Sequence, residues 1–262
     1  MLFFAAEAEG GGLEFPSLSN LIEWAPIIEI GGVLDLDKIG LTHLLGALIP
    51  AVVFIMAAQQ KSLVPTGIRG IAESVIEFVE TQIILPAIGP DGLPYLSLLL
   101  SFFVFVFIGN ITEVIPFFQM PANGRMGGPV IVALVSWAVF NFVGFKAQGF
   151  AYLKDIAWPS SVPIAIRPLV GLIEILSVFL LRPFSHAVRL FANMLAGHIL
   201  LVTFSVLTLT VFGASLTVLV LPFAFGGLIA FTAFEIFVSF IQAFVFTILA
   251  AVYIGGSLHP AH

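Results

Sequence analysis

From Pro168 to Phe212 the sequence reads PLVGLIEILSVFLLRPFSHAVRLFANMLAGHILLVTFSVLTLTVF, 45 residues that are almost continuously apolar. As a single α-helix this stretch would extend about 65 Å, whereas the apolar core of a bilayer is only about 30 Å thick. It therefore either breaks, most readily at Arg182–Pro183 because proline disrupts helical hydrogen bonding, or lies steeply tilted in a membrane. Both alternatives predict helices embedded in a membrane.

The rest of the chain is also strongly apolar. Of its 262 residues, 60% are hydrophobic and only 9% are charged, and the mean hydropathy is +1.16. Soluble domains are about 45–50% apolar and about 25% charged, so an ordinary soluble protein is excluded. We expect an all-α membrane protein with about five membrane-inserted spans. The expected spans are about 41–60, 95–115, 129–146, 165–212 and 218–256.

One additional segment, at about 68–84, has an amphipathic pattern. Its charged residues recur at helical spacing along one side, at Arg69, Glu73, Glu77 and Glu80, and apolar residues fill the opposite side. This pattern predicts a helix that lies along the membrane surface or packs beside the spans.

The first 40 residues differ from the remainder, since they hold seven acidic residues and one basic residue, Lys38. We expect an acidic, irregular N-terminal segment, 1–40, outside the cytoplasm, followed by a single membrane domain, 41–262. Met1–Ala6 is apolar but short and has no basic region, so no cleavable signal peptide is expected.

Several classes of function are excluded by composition and motif. A net charge of −6 argues against nucleic acid as a partner, and the absence of cysteine excludes thiolate chemistry and cysteine metal sites. The sequence contains no phosphate-binding loop, zinc-protease motif or nucleophile elbow. We therefore expect no cofactor, no metal and no nucleotide site in this chain.

Basic residues in the short connections predict the orientation. Most of them belong to connections that the five spans place on one side, namely Lys61, Arg69, Lys146, Lys154 and Arg167. The opposite side has the acidic N-terminal segment and a single Arg125. Because basic loops stay in the cytoplasm, we expect an extracytoplasmic N-terminus and a cytoplasmic C-terminus.

The spans contain polar residues that need a physical reason, because a charge inside a bilayer costs about 2.5–3.5 kcal/mol on insertion scales. The charged ones are Glu113, Glu174, Arg182, Arg189 and Glu235. The neutral ones are Asn110, His186, Asn193, His198, Ser239 and Gln242. Helical spacing places Asn193 on the face of Arg189, and it places His198 nearly opposite.

These residue types suit proton transfer. Carboxylates and imidazoles pass protons on, whereas an arginine remains protonated, so Arg189 is expected to act as a fixed barrier or as counter-ion to a mobile carboxylate. Purely structural roles compete with this interpretation. Arg189 would then form a salt bridge between helices, Arg182 would reach the membrane surface, His186 would be a packed histidine, and His43 would be interfacial.

The segment around Arg189 and His198 resembles the most specific motif of a known family. Residues 182–198, RPFSHAVRLFANMLAGH, are similar to that motif in subunit a of the rotary F-type ATP synthase. Phe234-Glu235 together with 241–246, IQAFVF, resembles the second motif of the family, and 110–116, NITEVIP, resembles a weaker third one. The resemblance covers roughly 40–256.

The resemblance implies a membrane stator beside a ring of c subunits. The other implied partners are peripheral-stalk b subunits, further ATP synthase subunits and the lipid bilayer, without nucleic acid. Arg189 matches the essential arginine that faces the ring carboxylate and is the expected catalytic residue. The expected proton pathway comprises Glu235, His198, Asn193, Gln242, Glu113, Asn110, Glu174 and Ser239.

The family also has two long, strongly tilted last helices that form a hairpin, which would accommodate Pro168–Phe212 without a break. The chain is expected to be part of a proton-transporting two-sector ATPase. Its long acidic N-terminal segment, without a transit peptide, favours a bacterial inner (plasma) membrane over an organelle-encoded chain. An autonomous secondary ion transporter or channel is the main alternative. An intramembrane enzyme is a third, although His186 and His198 are too far apart around one helix to share a metal.

Overall fold

The computed structural model of the chain describes residues 37–60, 67–115, 122–159, 162–212 and 220–258. Most of the acidic segment 1–40 and Lys61 lie outside these ranges. Within them every regular element is helical, which confirms the expected all-α fold class. The main helices are α1 (Lys38–Gln59), α2 (Ile68–Val79), α3 (Leu96–Ile111), α4 (Gly127–Gln148), α5 (Ala151–Ala157), α6 (Arg167–Leu176), α7 (Arg182–Phe212) and α8 (Leu221–Leu258).

Five helical segments are long and apolar enough to cross a membrane, as the sequence predicts. They are Ile39–Gln59, Pro90–Ile111, Gly127–Gln148, Arg167–Leu209 and Leu221–Leu258. Many of their large apolar side chains are exposed, as is expected where the surrounding lipid is as apolar as the protein interior, whereas Pro90–Ile111 keeps most of its own packed inside the bundle.

The amphipathic helix α2 lies beside α1 and α3. It continues through a π turn, Glu80–Ile84, and its charged side carries the Arg69–Glu73 ion pair at 2.6 Å. The opposite side buries Val79 and Ile83 completely in the core. The helix is therefore attached to the bundle by its apolar side.

The 45-residue stretch does not break at Arg182–Pro183. Helix α6 leads through a π turn, Ser177–Leu181, directly into α7, and the backbone N–H of Arg182 donates to the Ser177 carbonyl. Continuing this pattern would require Pro183 to donate to Val178, which proline cannot do. The indole N–H of Trp137 donates to the Val178 carbonyl instead, at 3.0 Å. The helix therefore continues past the proline because α4 supplies the missing donor.

The bundle is centred on α8, which packs against α3, α4 and α7. At one end of the bundle α1 begins, α3 ends and α4 begins, and Arg125 forms an ion pair with Asp37 there. At the other end Gln148 donates to the Ser257 carbonyl at 2.9 Å, next to the last turn of α8. These two places are called the Asp37 end and the Gln148 end below.

Candidate functional site

A buried acid and a buried imidazole meet where the end of α3 lies against α7. The His198 Nδ1 atom is 3.4 Å from Glu113 Oε1, and their side chains are only 8% and 1% exposed. Glu113 follows the last turn of α3, so the helix end directs its carboxyl group into the bundle. A proton can pass between two such groups after a small adjustment of their geometry.

A second carboxyl group, that of Glu235 on α8, lies beside this pair. Glu235 is 3% exposed, and its carboxyl group packs against Gly197, the residue that precedes His198. A Cβ atom on Gly197 would come within 2.4 Å of Glu235 Oε1, so only a glycine leaves room for the carboxyl group. Glu113 is close enough for its charge to act on Glu235. Glu113, His198 and Glu235 together form the acid–imidazole cluster.

Two asparagines continue the polar interior toward the Asp37 end. Asn123 Nδ2 donates to Asn110 Oδ1 at 2.7 Å, and both side chains are fully buried. Asn110 lies one helical turn before Glu113, so this asparagine pair adjoins the acid–imidazole cluster. One turn beyond Glu235, Ser239 is also fully buried.

Arg189 has a different environment. It lies on α7 with its side chain exposed, and within the described ranges it forms no ion pair. Asn193, one turn later, and Gln242 on α8 are partly buried. Helix α7 therefore carries the buried His198 on one face and the exposed Arg189 on the nearly opposite face.

Glu174 lies apart from the cluster, on α6. Its Oε2 atom is 3.9 Å from Arg182 Nη2. The Arg182 guanidinium also lies 5.0 Å from the centre of the Tyr253 ring, within cation–π range, and its side chain is 28% exposed. Arg182 therefore packs over an aromatic ring of α8 rather than simply extending to the surface.

His186 is a packed histidine. It is 3% exposed, and its ring centre lies 4.6 Å from that of Phe246 and 5.4 Å from that of Tyr253. The nearby charge of Arg189 acts on this ring. Among the residues that the structure describes, no group of three possible metal ligands occurs.

The structure brings together four residues of the predicted proton pathway: Asn110, Glu113, His198 and Glu235. It adds Asn123 and Gly197, which sequence reasoning missed. In the sequence, the polar loop at 122–125 and the small residue before His198 are the features that point to these two positions. His43, expected to be interfacial, turns its ring inward and stacks near Phe105.

The arrangement can hold and transfer protons on one side of α7 while presenting a permanent cation on the other. Two acids and one imidazole provide exchangeable protons, and the asparagine pair supplies hydrogen bonds without titrating. An exposed arginine on an apolar helix is costly wherever it faces lipid alone.

Comparison with known proteins gives the family. Residues 40–255 match the family described as ATP synthase A chain. The chain is 40% identical over 244 residues to the ATP synthase subunit a of Frankia alni, covering 90% of this chain and 82% of that protein. It is 39% identical over 249 residues to that of Rhodococcus erythropolis, covering 93% and 90%.

A third relative, the ATP synthase subunit a of Pseudarthrobacter chlorophenolicus, is 35% identical over 266 residues, which covers 99% of this chain and 98% of that protein. The matches span both the acid–imidazole cluster and Arg189, and they agree with a multi-pass membrane protein. The chain therefore belongs to the ATP synthase A chain family, the subunit a family of the F-type ATP synthase.

Proposed function

We propose that the chain is the proton-translocating stator subunit of an F-type ATP synthase, with two half-paths that deliver protons to and from a ring of c subunits. One observation carries the proposal: the two opposite faces of α7 differ. One face meets the buried acid–imidazole cluster, and the other exposes Arg189, which forms no ion pair with any residue that the structure describes. Such a helix can hold protons on its buried face while its exposed face contacts the rotating ring of c subunits.

The inlet half-path begins at the Asp37 end. A proton passes the asparagine pair, Asn110 and Asn123, and reaches Glu113 and then His198 and Glu235. From Glu235 it crosses to a ring carboxylate, which becomes neutral and can then move into lipid. Ser239, one turn from Glu235, supplies a hydroxyl group along the same stripe of α8.

Arg189 acts at the boundary between the half-paths. When a protonated ring carboxylate returns, the guanidinium favours its ionised form, and the proton leaves by the outlet half-path toward Glu174. Asn193 and Gln242 are the polar neighbours that hold this contact. Because arginine does not release its own proton, it also blocks a direct leak between the two half-paths.

The membrane potential and the proton gradient drive this cycle in the direction of ATP synthesis, at about 2.3 kcal/mol per charge for each 100 mV. The orientation has an extracytoplasmic N-terminus and a cytoplasmic C-terminus in a bacterial inner membrane. It is supported by basic residues that lie at or beyond the Gln148 end, such as Lys146 and Lys154, against Arg125 at the Asp37 end. The c-ring and the peripheral-stalk b subunits are the proposed direct partners.

The test is ATP-driven proton pumping by the whole complex in membrane vesicles. Arg189→Lys is expected to abolish coupled pumping, because lysine lacks the planar fork and can lose its proton, while ATP hydrolysis sites stay intact. Arg182→Lys on the same helix is the matched control and is expected to pump. Wild-type pumping by Arg189→Lys and by Arg189→Ala would overturn the proposal and favour an autonomous transporter, which would work without the ring.

A further inference from the structure

The Asp37 end of the bundle has a charged mouth. The Asp37 side chain accepts a hydrogen bond from the Gly40 backbone N–H at 2.7 Å, capping α1, and its other oxygen pairs with Arg125. These two side chains remain partly exposed, 19% for Asp37 and 35% for Arg125. Water and ions can therefore reach this point where α1 and α4 begin.

His43 lies less than two turns further along α1 and turns its ring into the bundle. Its Nδ1 atom is 3.0 Å from the Ile39 carbonyl oxygen. Because a carbonyl only accepts hydrogen bonds, Nδ1 carries the proton of the neutral ring, and Nε2 is left as an acceptor. Nε2 is buried and has no hydrogen-bond partner in the described part of the chain.

The position of this ring depends on Gly128. A Cβ atom there would come within 2.2 Å of His43 Nε2, so the absence of a side chain on α4 creates the space that the imidazole occupies. On its other side the ring stacks near Phe105 of α3, with ring centres 6.1 Å apart. The half-buried imidazole thus packs between α3 and α4.

Asn123 links this imidazole to the site already described. It lies close enough to the His43 ring to influence its electrostatics, and its amide nitrogen donates to Asn110. Its Oδ1 atom, like the Nδ2 atom of Asn110, is buried without a partner among the described residues. Buried polar groups that lack a partner destabilise a protein, and proteins commonly pair them with bridging water.

We propose that His43 and Asn123 form the outer section of the inlet half-path, carrying protons from the Asp37–Arg125 mouth to Asn110 and Glu113. This inference rests on the function proposed above. His43 Nε2 accepts a proton from water on the mouth side and returns it to water on the Asn123 side, so the ring ends each transfer neutral. Asn123 does not titrate; it orients the hydrogen bonds between His43 and Asn110.

The first test uses the absence of cysteine from this chain. In the assembled complex, His43→Cys is treated with the small cationic reagent methanethiosulfonate ethylammonium, and ATP-driven proton pumping is measured before and after. Leu44→Cys is the matched control, because the neighbouring Leu44 side chain is 49% exposed on the outer, apolar surface of α1. Before treatment we expect His43→Cys to pump about tenfold or more slowly than wild type, because the imidazole is gone, and Leu44→Cys to pump at the wild-type rate. The reagent is expected to label the thiol at 43 and to leave pumping by Leu44→Cys unchanged.

Wild-type pumping by untreated His43→Cys would overturn the inference, and so would a thiol at 43 that the reagent does not label. If His43→Cys fails to assemble, His43→Gln replaces it, since glutamine keeps hydrogen bonding but cannot take up the proton. A fall of about tenfold or more in His43→Gln pumping, partly restored by added imidazole, is expected. A wild-type rate, or a loss that imidazole does not restore, would contradict the role of His43 in transfer.

These results are separable from the proposed function. If Arg189→Lys loses pumping while the His43 variants behave as wild type, only the outer section of the inlet half-path is wrong. If Arg189→Lys pumps normally, the stator function fails whatever the His43 variants show.

Discussion

Gly197 has no side chain at the point where the Glu235 carboxyl group meets α7, and this makes it the most sensitive small residue of the site. In Gly197→Ala the new Cβ would fall 2.4 Å from Glu235 Oε1. The end of a glutamate side chain can swing away while both helices stay in place. We expect the complex to assemble and its proton pumping to fall by about tenfold to a hundredfold, because a displaced catalytic group loses its geometry.

Gly226→Ala on α8 is the matched control for this prediction, since a Cβ at Gly226 would meet nothing within 4 Å. It adds a better helix former at an open position and is expected to pump as wild type. Pumping rates and assembly are measured for both variants. Equal, wild-type rates for Gly197→Ala and Gly226→Ala would mean that the contact between Gly197 and Glu235 has no part in proton transfer.

At the scale of single elements, the continuation of α6 into α7 depends on a donor from another helix. The Val178 carbonyl lies in the π turn and receives the Trp137 indole N–H, in place of the backbone donor that Pro183 lacks. Trp137→Phe leaves this carbonyl unsatisfied in an apolar environment, at a cost of about 1–3 kcal/mol. We expect thermal unfolding of the detergent-solubilised complex to begin at a temperature lower by about 2–4 °C for each kcal/mol.

Trp158→Phe is the control, because that indole is 45% exposed and lies outside the long helices. A second change makes the prediction specific. In the Trp137→Phe background, Pro183→Ala supplies a backbone N–H that can reach the Val178 carbonyl, so part of the lost stability should return. A double variant less stable than Trp137→Phe would show that the indole hydrogen bond does not compensate for the proline.

The sequence predicts the individual helices better than it predicts the contacts between them. Apolar runs identify the five long helices, and the charge spacing of Arg69, Glu73 and Glu77 identifies the amphipathic α2. The π turn before Arg182 was not predicted, because hydropathy reports which residues are apolar and not which carbonyl each N–H reaches. The helix also does not break at Arg182–Pro183, although the sequence allowed it. The hydrogen bond that replaces the one lost at Pro183 comes from Trp137 of α4, and hydropathy does not reveal such a contact.

The candidate site shows the same limit. A motif can identify Glu113, His198 and Glu235 one by one, but their proximity depends on how α3, α7 and α8 cross. Asn123 and Gly197 were missed because a lone amide in a loop and a small residue in a helix have no chemistry of their own. Their importance comes from what they touch, which only the packed structure reveals.

On the scale of the whole molecule, the long helices expose many apolar side chains in the described part of the chain, and α7 adds an exposed arginine to that surface. Arg189, Ala192 and Ala196 share one face of α7 at helical spacing, and all three are exposed. Two alanines beside an arginine leave room for another helix to approach closely, as small residues do at contacts between membrane helices. The proposed c-ring is the partner that this face would meet.

Disulfide cross-linking of the whole complex tests that contact. Ala192→Cys and Ala196→Cys, each combined with a cysteine near the ring carboxylate, are expected to form an adduct with a c subunit under mild oxidation, because a disulfide requires Cα atoms about 4.4–6.8 Å apart. Met194→Cys is the control, since Met194 lies on the same helix but is 0% exposed. An adduct from Met194→Cys as rapid as those from the alanine positions would place the ring against a different face of α7, and Arg189 would then lose its proposed contact with the ring carboxylate.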